Sequence, residues 1–408
     1  MKRGSRSSKS VAMVGLVLIG LIWVSPGVAA SVPAEGDVQA VVEGNTQFAL
    51  DLYAALREES GNLFLSPHSI STALAMSYAG ARGETARQMA GVLHFSLEPG
   101  RLHPAFAAML LSDQATREES GYRLDVANAA WGQKGYGFLE DYLALTREYY
   151  NAGFREVDFV EGTEQARQII NAWVEDQTEH RIKELLQRPD LDPATVLVLT
   201  NAIYFKGSWA SRFDEKYTKD GPFWMNEKDN VVVPMMHQVA RFPLAALDNL
   251  DILELPYQGD RLAMVVLLPK KRDGLTALEK SLSRENLDRW LGLLGPQPVR
   301  LSLPRFKLER RFELSRTLQA MGMIDAFAAG KADFSGMTGN RELFISLVIH
   351  QAEVEVNEEG TEASAATAVV HKRGAPPTAF VADHPFLFLI RDRQSGSILF
   401  MGRVVNPS

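Results

Sequence analysis

Asn357-Glu-Glu-Gly-Thr-Glu-Ala-Ser-Ala-Ala-Thr-Ala-Val-Val370 is the stretch on which the reading of this chain turns. An alternating apolar run, Ala352, Val354 and Val356, leads into it. Two acids and Gly360 then separate that run from a tract of Ala, Ser and Thr. Side chains on a strand alternate between faces. Drawn out as a strand, the tract presents Thr361, Ala363, Ala365, Thr367 and Val369 on one face, all small or β-branched and none charged. Its lone acid, Glu362, falls on the other face. A segment of this kind can stand exposed as a loop, and can also enter a sheet between two strands without burying a charge. A flexible linker has the same composition, so the surrounding residues decide between the two.

Downstream come Asp383-His-Pro-Phe-Leu-Phe-Leu-Ile390 and Ser397-Ile-Leu-Phe-Met-Gly-Arg-Val-Val-Asn-Pro407. This arrangement resembles the C-terminal end of the serpin family, where a reactive loop sits between its hinge and two closing strands. The resemblance covers nearly the whole chain beyond its N-terminal segment. Asn62-Leu-Phe-Leu-Ser-Pro-His-Ser-Ile70 is similar to the family segment that opens a buried helix, and Gly80-Ala-Arg-Gly-Glu-Thr85 follows it. Leu199-Thr-Asn-Ala-Ile-Tyr-Phe-Lys-Gly-Ser-Trp209 resembles the strand and turn at the top of the central sheet. Val233-Pro-Met-Met236, Glu254-Leu-Pro-Tyr257, Leu303-Pro-Arg-Phe306 and Ala332-Asp-Phe-Ser-Gly-Met337 continue in the family's order. Each motif is weak alone, and their collinearity is what is specific. His180, in Thr178-Glu-His-Arg-Ile182, stands where the family usually has Gly, which questions the local turn and not the fold.

The resemblance implies an α+β serpin fold with three β-sheets, about eight or nine helices and an exposed reactive-centre loop over about 357–382. It implies a hinge made by Glu358, Gly360, Thr361, Ala363, Ala365 and Ala366. It implies a polar cluster under the central strands at Ser66, Ser69, Asn201 and His350. At the top of the sheet it implies Trp209 where insertion starts, and Arg305 as the partner of Glu358. The expected partner is a serine protease, held as a covalent acyl complex. The serpin itself is expected to be a monomer that fails by forming loop-sheet polymers. Counting from Gly360 by the commonest family loop length puts the scissile bond at Gly374-Ala375. A loop one residue shorter puts it at Arg373-Gly374, beside the loop's only basic cluster, His371-Lys-Arg373. The basic cluster favours the second bond and a trypsin-like target; the first bond, which suits an elastase- or subtilisin-like protease, is the alternative. Pro376-Pro377 beyond the bond stiffens the far side of the loop.

Composition bounds the rest. Lys2, Arg3, Arg6 and Lys9 precede an apolar run from Val11 to Val24 and then Pro26-Gly-Val-Ala-Ala30. This is the layout of a secretory signal peptide, and the run is shorter than the roughly 20 residues a membrane span needs. The reading is a signal peptide over 1–30, a short tether over 31–40 and one domain over 41–408. It places the protein outside the cytoplasm, periplasmic or extracellular. The formal charge is −7, from 43 cations against 50 acids, and no segment concentrates Lys and Arg. Nucleic acid and, after signal cleavage, membranes are therefore not expected partners. There is no cysteine, which excludes disulfides and thiol chemistry. No Asn-X-Ser/Thr acceptor occurs, which fits a prokaryotic source.

Apolar spacing predicts helices over 37–58, 66–92, 101–112, 137–150, 162–187, 275–292 and 312–322. Strands are predicted over 122–131, 195–206, 231–237, 261–269, 298–309, 343–356, 385–391 and 397–404. Enzyme signatures are absent: no Gly-X-Ser-X-Gly elbow, no His-Glu-X-X-His and no phosphate loop. The eight histidines are scattered singly, and no metal or cofactor is expected. Ser66, His68 and Ser69 are close in sequence, which is not a triad. A non-inhibitory carrier, storage or chaperone role is the rival reading, but such members carry charged or bulky hinge residues. Nor is a polyanion cofactor expected, because Arg101, Arg117 and Arg123 are interleaved with Asp113, Glu118 and Glu119.

Overall fold

The computed structural model describes residues 33–34, 36–119, 122–150, 154–358 and 376–408. The chain begins with α1 (Asp37–Leu56), β1 (Leu63–Leu65), α2 (Pro67–Tyr78), α3 (Gly83–Leu93) and α4 (Pro99–Glu119). Next come β2 (Tyr122–Gln133), α5 (Glu140–Tyr150), β3 (Phe154–Val157), α6 (Phe159–Gln177) and β4 (Leu197–Gly207). Then follow β5 (Lys219–Trp224), β6 (Asn230–Ala246), β7 (Leu250–Pro256), β8 (Leu262–Pro269), α7 (Leu275–Ser281) and α8 (Arg284–Gly292). The last elements are β9 (Gly295–Pro304), β10 (Phe306–Glu313), α9 (Ser315–Ala320), α10 (Ser335–Thr338), β11 (Leu347–Val356), β12 (Thr378–Val381), β13 (Phe386–Asp392) and β14 (Ile398–Val404). The class is α+β, with ten α-helices among the described residues.

Among the described residues the strands join into two hydrogen-bonded sheets, against an expected count of three. One has the order β10-β11-β4-β2-β3, and the other runs β1-β14-β13-β8-β7-β6-β9-β12 with β5 on β6. The difference comes from β6, 17 residues long. Residues 230–235 of it pair with β5, 235–244 with β9, and 244–246 with β7. One strand thus fuses what the sequence reading counted as two sheets.

In the middle of the five-stranded sheet, β11 and β4 run parallel, in register from Leu347 opposite Val198 to Val354 opposite Phe205. The flanking pairs, β10 with β11 and β4 with β2, are antiparallel. Both central strands are buried almost throughout, as strands covered on both faces must be. On one face α6 and residues 182–191 pack Ile170, Val174, Ile182, Leu185 and Leu186 against Ala127, Val198, Ala202 and Ile349. On the other lies α2, whose residues Pro67–Ser77 are all buried. It starts where Ser66 caps it, accepting the Ser69 N–H, with Pro67 at the first helical position.

The predicted helix over 66–92 is two helices. Gly80 between them lies so close to Met337 that a Cβ there would overlap it, and Gly83 takes φ +54°. The predicted strand over 298–309 is likewise two, because β9 pairs in one sheet and β10 in the other. Arg305 is the corner between them. Glu179 and His180 both take positive φ after α6, so the chain turns there without glycine.

Candidate functional site

A row of polar side chains crosses the parallel seam. His350 on β11, Asn201 on β4 and Asn128 on β2 lie directly opposite one another. His350 Nε2 accepts the Ser66 backbone N–H at 3.1 Å, which leaves Nδ1 to carry the proton and donate it to Asn201 Oδ1. Asn201 Nδ2 donates to Ser69 Oγ at 2.5 Å and to Asn128 Oδ1. Ser69 Oγ donates to Asn128 Oδ1 at 3.1 Å, and Ser66 Oγ donates to the Leu399 carbonyl at 2.7 Å. Ser66, Asn201 and His350 are fully buried. Burial pushes the His350 imidazole down to about 3, so it is neutral in this network. The structure therefore brings together all four polar residues singled out in the sequence, and adds Asn128. That residue was legible as the lone polar side chain between Ala127 and Trp131.

At the head of the seam β11 ends and the chain turns out. Trp209 Nε1 donates to the Asn357 carbonyl at 2.9 Å. The Trp209 ring stacks on Tyr257 at 4.6 Å and 11°. Gly207 permits this: a side chain there would run into the Tyr257 ring. Next along, Glu358 is only 2% exposed and accepts hydrogen bonds from Arg305 Nε and Thr218 Oγ1. Burial opposes its charge, but these two donors outweigh burial and hold the carboxyl below its usual range. Thr218 was missed; it sits in an aperiodic turn before β5 with no sequence signal.

Gly360, Thr361, Ala363, Ala365, Ala366, Arg373, Gly374 and Ala375 lie outside the described residues. The chain resumes before β12, which pairs in parallel with β9 in the other sheet. Residues 359–375 thus join the head of the seam to an edge of the nine-stranded sheet.

The hydroxyls of Ser66 and Ser69 are consumed by the polar row, and His68 Nδ1 meets Ser397 Oγ at 3.5 Å. These residues form no relay. Among the described residues no group of three or more His, Asp or Glu could hold a metal ion. No described helix is long and apolar enough to cross a membrane.

Comparison with known proteins meets this geometry. Residues 43–407 match the family model described as Serpin (serine protease inhibitor). The leukocyte elastase inhibitor of Bos taurus is 46% identical over 378 residues, covering 89% of this chain and 98% of the relative. That of Homo sapiens is 45% identical over 375 residues with the same coverage. Among solved structures, uncleaved ovalbumin superposes with a TM-score of 0.83 at 32% identity, covering 90% of this chain and 100% of ovalbumin. Maspin superposes at 0.84 and 30% identity, covering 91% and 100%. The match spans both sheets, the seam and the strands after the loop, and this chain belongs to the serpin family.

Proposed function

We propose that this serpin is an exported, monomeric suicide inhibitor of serine proteases that traps the acyl-enzyme by inserting its cleaved loop into the β11/β4 seam. The observation that carries this reading is the seam itself. Two parallel strands meet along a row of exchangeable hydrogen bonds, and the loop leaves from the end of one of them. A chain leaving β11 that doubles back runs antiparallel to both β11 and β4. One parallel junction becomes two antiparallel ones, which pair slightly better per residue.

The protease serine Oγ attacks the scissile carbonyl; an ester forms, the C–N bond breaks, and the proton goes to the departing amine. Cleavage frees Thr361–Val370 to insert. A dozen new ladder bonds at about 1 kcal/mol each, with buried Val and Ala surface, supply on the order of ten kcal/mol. Ten residues of strand carry the tethered protease about 34 Å along the sheet. Dragged against the inhibitor's body, its oxyanion donors lose register, and even one lost donor slows deacylation about a hundredfold. The uncleaved fold is then a kinetic trap.

For the bond itself, His371-Lys-Arg373 supports Arg373-Gly374 and a trypsin-like target. The Gly374-Ala375 bond is favoured by the loop count and by relatives named leukocyte elastase inhibitor. The basic, apolar and small-residue layout of residues 1–30 supports export. Incubation with trypsin and separately with elastase, followed by denaturing electrophoresis and mass spectrometry of the released peptide, tests both points. An SDS-stable complex is expected. A new N-terminus at Gly374 assigns the bond to Arg373, and one at Ala375 assigns it to Gly374. Cleavage with no stable complex under either protease contradicts the inhibitory reading in favour of a carrier or chaperone role.

A further inference from the structure

The cover over the β11/β4 junction, α6 and the segment 182–191 that returns from it, is tied into one body. Asn171 joins the two parts, its Oδ1 accepting the Leu186 N–H and its Nδ2 donating to the Leu186 carbonyl, both at 2.8 Å. Arg167 Nη1 donates to the same carbonyl at 2.9 Å. By chain connection this body belongs to one side of the junction, because β3 ends just before α6 and β4 begins at Leu197, just after the segment. Its side chains hold to that side too. Trp173 meets Trp131 of β2 at 5.4 Å, and the Arg181 guanidinium lies 4.9 Å over the Tyr204 ring of β4. Across the junction the tie is Arg311, on β10 opposite Gln351 of β11. Its Nε donates to the Leu185 carbonyl at 2.7 Å, and its Nη2 pairs with Asp190. These side chains are 22% and 13% exposed, so salt and water screen the pair little.

We propose that Arg311 is a positioning residue for trapping, a latch that holds the covering body across the closed junction and must let go before a strand can enter. The proposal rests on the insertion mechanism given above. A strand placed between β11 and β4 moves β10 and β11 about 4.8 Å away from β4 and from the body connected to it. The apolar contacts of Ile182 and Leu186 with Ile349 are non-directional and slide. A hydrogen bond does not survive such a shift, since it is lost beyond about 3.5 Å. The latch therefore supports the uncleaved form and adds nothing to the inserted one. Insertion races deacylation, so the strength of this one tie sets the share of encounters that end in a trapped protease.

Two readouts on the full chain test this: thermal midpoints of the intact and singly nicked forms, and the insertion rate at saturating trypsin. The chain has no cysteine, so a single Ser364→Cys accepts a fluorophore that reports insertion in stopped flow. Arg311→Met should lower the midpoint of the intact form by about 2 °C or more and leave that of the nicked form in place. It should also speed insertion about tenfold, the share of one charge-assisted hydrogen bond lost from the starting state. Asp190→Asn removes the ionic partner and keeps the Leu185 carbonyl. It should move both readouts the same way by less, and it decides the matter should Arg311→Met not fold. A merely structural arginine would lower both midpoints equally; that result, or an unchanged insertion rate, overturns the latch while the natural chain still gains stability on nicking. No gain on nicking in the natural chain overturns the insertion mechanism and the latch together.

Discussion

His350 is the residue on which the seam's acid sensitivity depends. Its ordinary value of 6.5 falls to about 3 in the fold because burial disfavours the charged ring. The unfolded chain therefore binds a proton that the folded chain refuses across that interval. The resulting contribution to stability is complete above about 6.5 and shrinks as pH falls toward 3, at about 1.4 kcal/mol per pH unit. His103, held near 4 by burial, acts with the same sign. His350→Gln keeps an acceptor and a donor but cannot titrate. Between pH 6.5 and 5 the natural chain should lose about 2 kcal/mol more than this variant, read from urea midpoints at each pH; parallel curves would exclude His350. Glu358 also answers to acid. Its carboxyl is held below 4.5 by Arg305 and Thr218, so its support is present above that value and goes as pH falls through the folded one. Glu358→Lys sets a buried cation beside Arg305, a cost on the order of 2 kcal/mol after allowing for Arg305 being 41% exposed. On warming, size-exclusion chromatography should show polymers for this variant, fewer for Arg305→Ala, and monomer for the natural chain. The polar row was legible in sequence through the family resemblance, which implies a cluster at Ser66, Ser69, Asn201 and His350. Thr218 was not, since nothing in a turn marks which carboxylate its hydroxyl will meet.

On the proposed mechanism the loop tract depends on small side chains in alternation. Thr361→Arg would force a cation onto the face meant for the core, where an unpaired charge is not tolerated. The variant should be cleaved at the same bond as the natural chain yet yield free, active protease, which a residual-activity assay after complete cleavage detects. Undiminished stable complex would show that Thr361 never enters the sheet. Long periodic elements such as α1, β2 and β4 lie where apolar spacing puts them. Misreadings arise where tertiary contacts cut a continuous pattern. Gly80 against Met337 divides one helix, and Arg305 hands a single strand-like run from one sheet to another. β1, three residues long, and β12, four, are too short for periodicity to register.

At the scale of the whole molecule, residues Val32–Ser408 form one compact unit without a single cysteine, so the core and the topology carry its stability. On the proposed mechanism the central sheet, with its parallel β11/β4 junction, takes up a further strand, and the uncleaved molecule persists by its barrier to opening. The most direct measurement of this claim is thermal unfolding of the intact chain against the chain nicked once in residues 371–375. A gain on the order of ten kcal/mol in a protein of this size raises the midpoint by about 10 °C or more, and that rise is the result expected. Identical midpoints for the nicked and intact proteins would contradict the account.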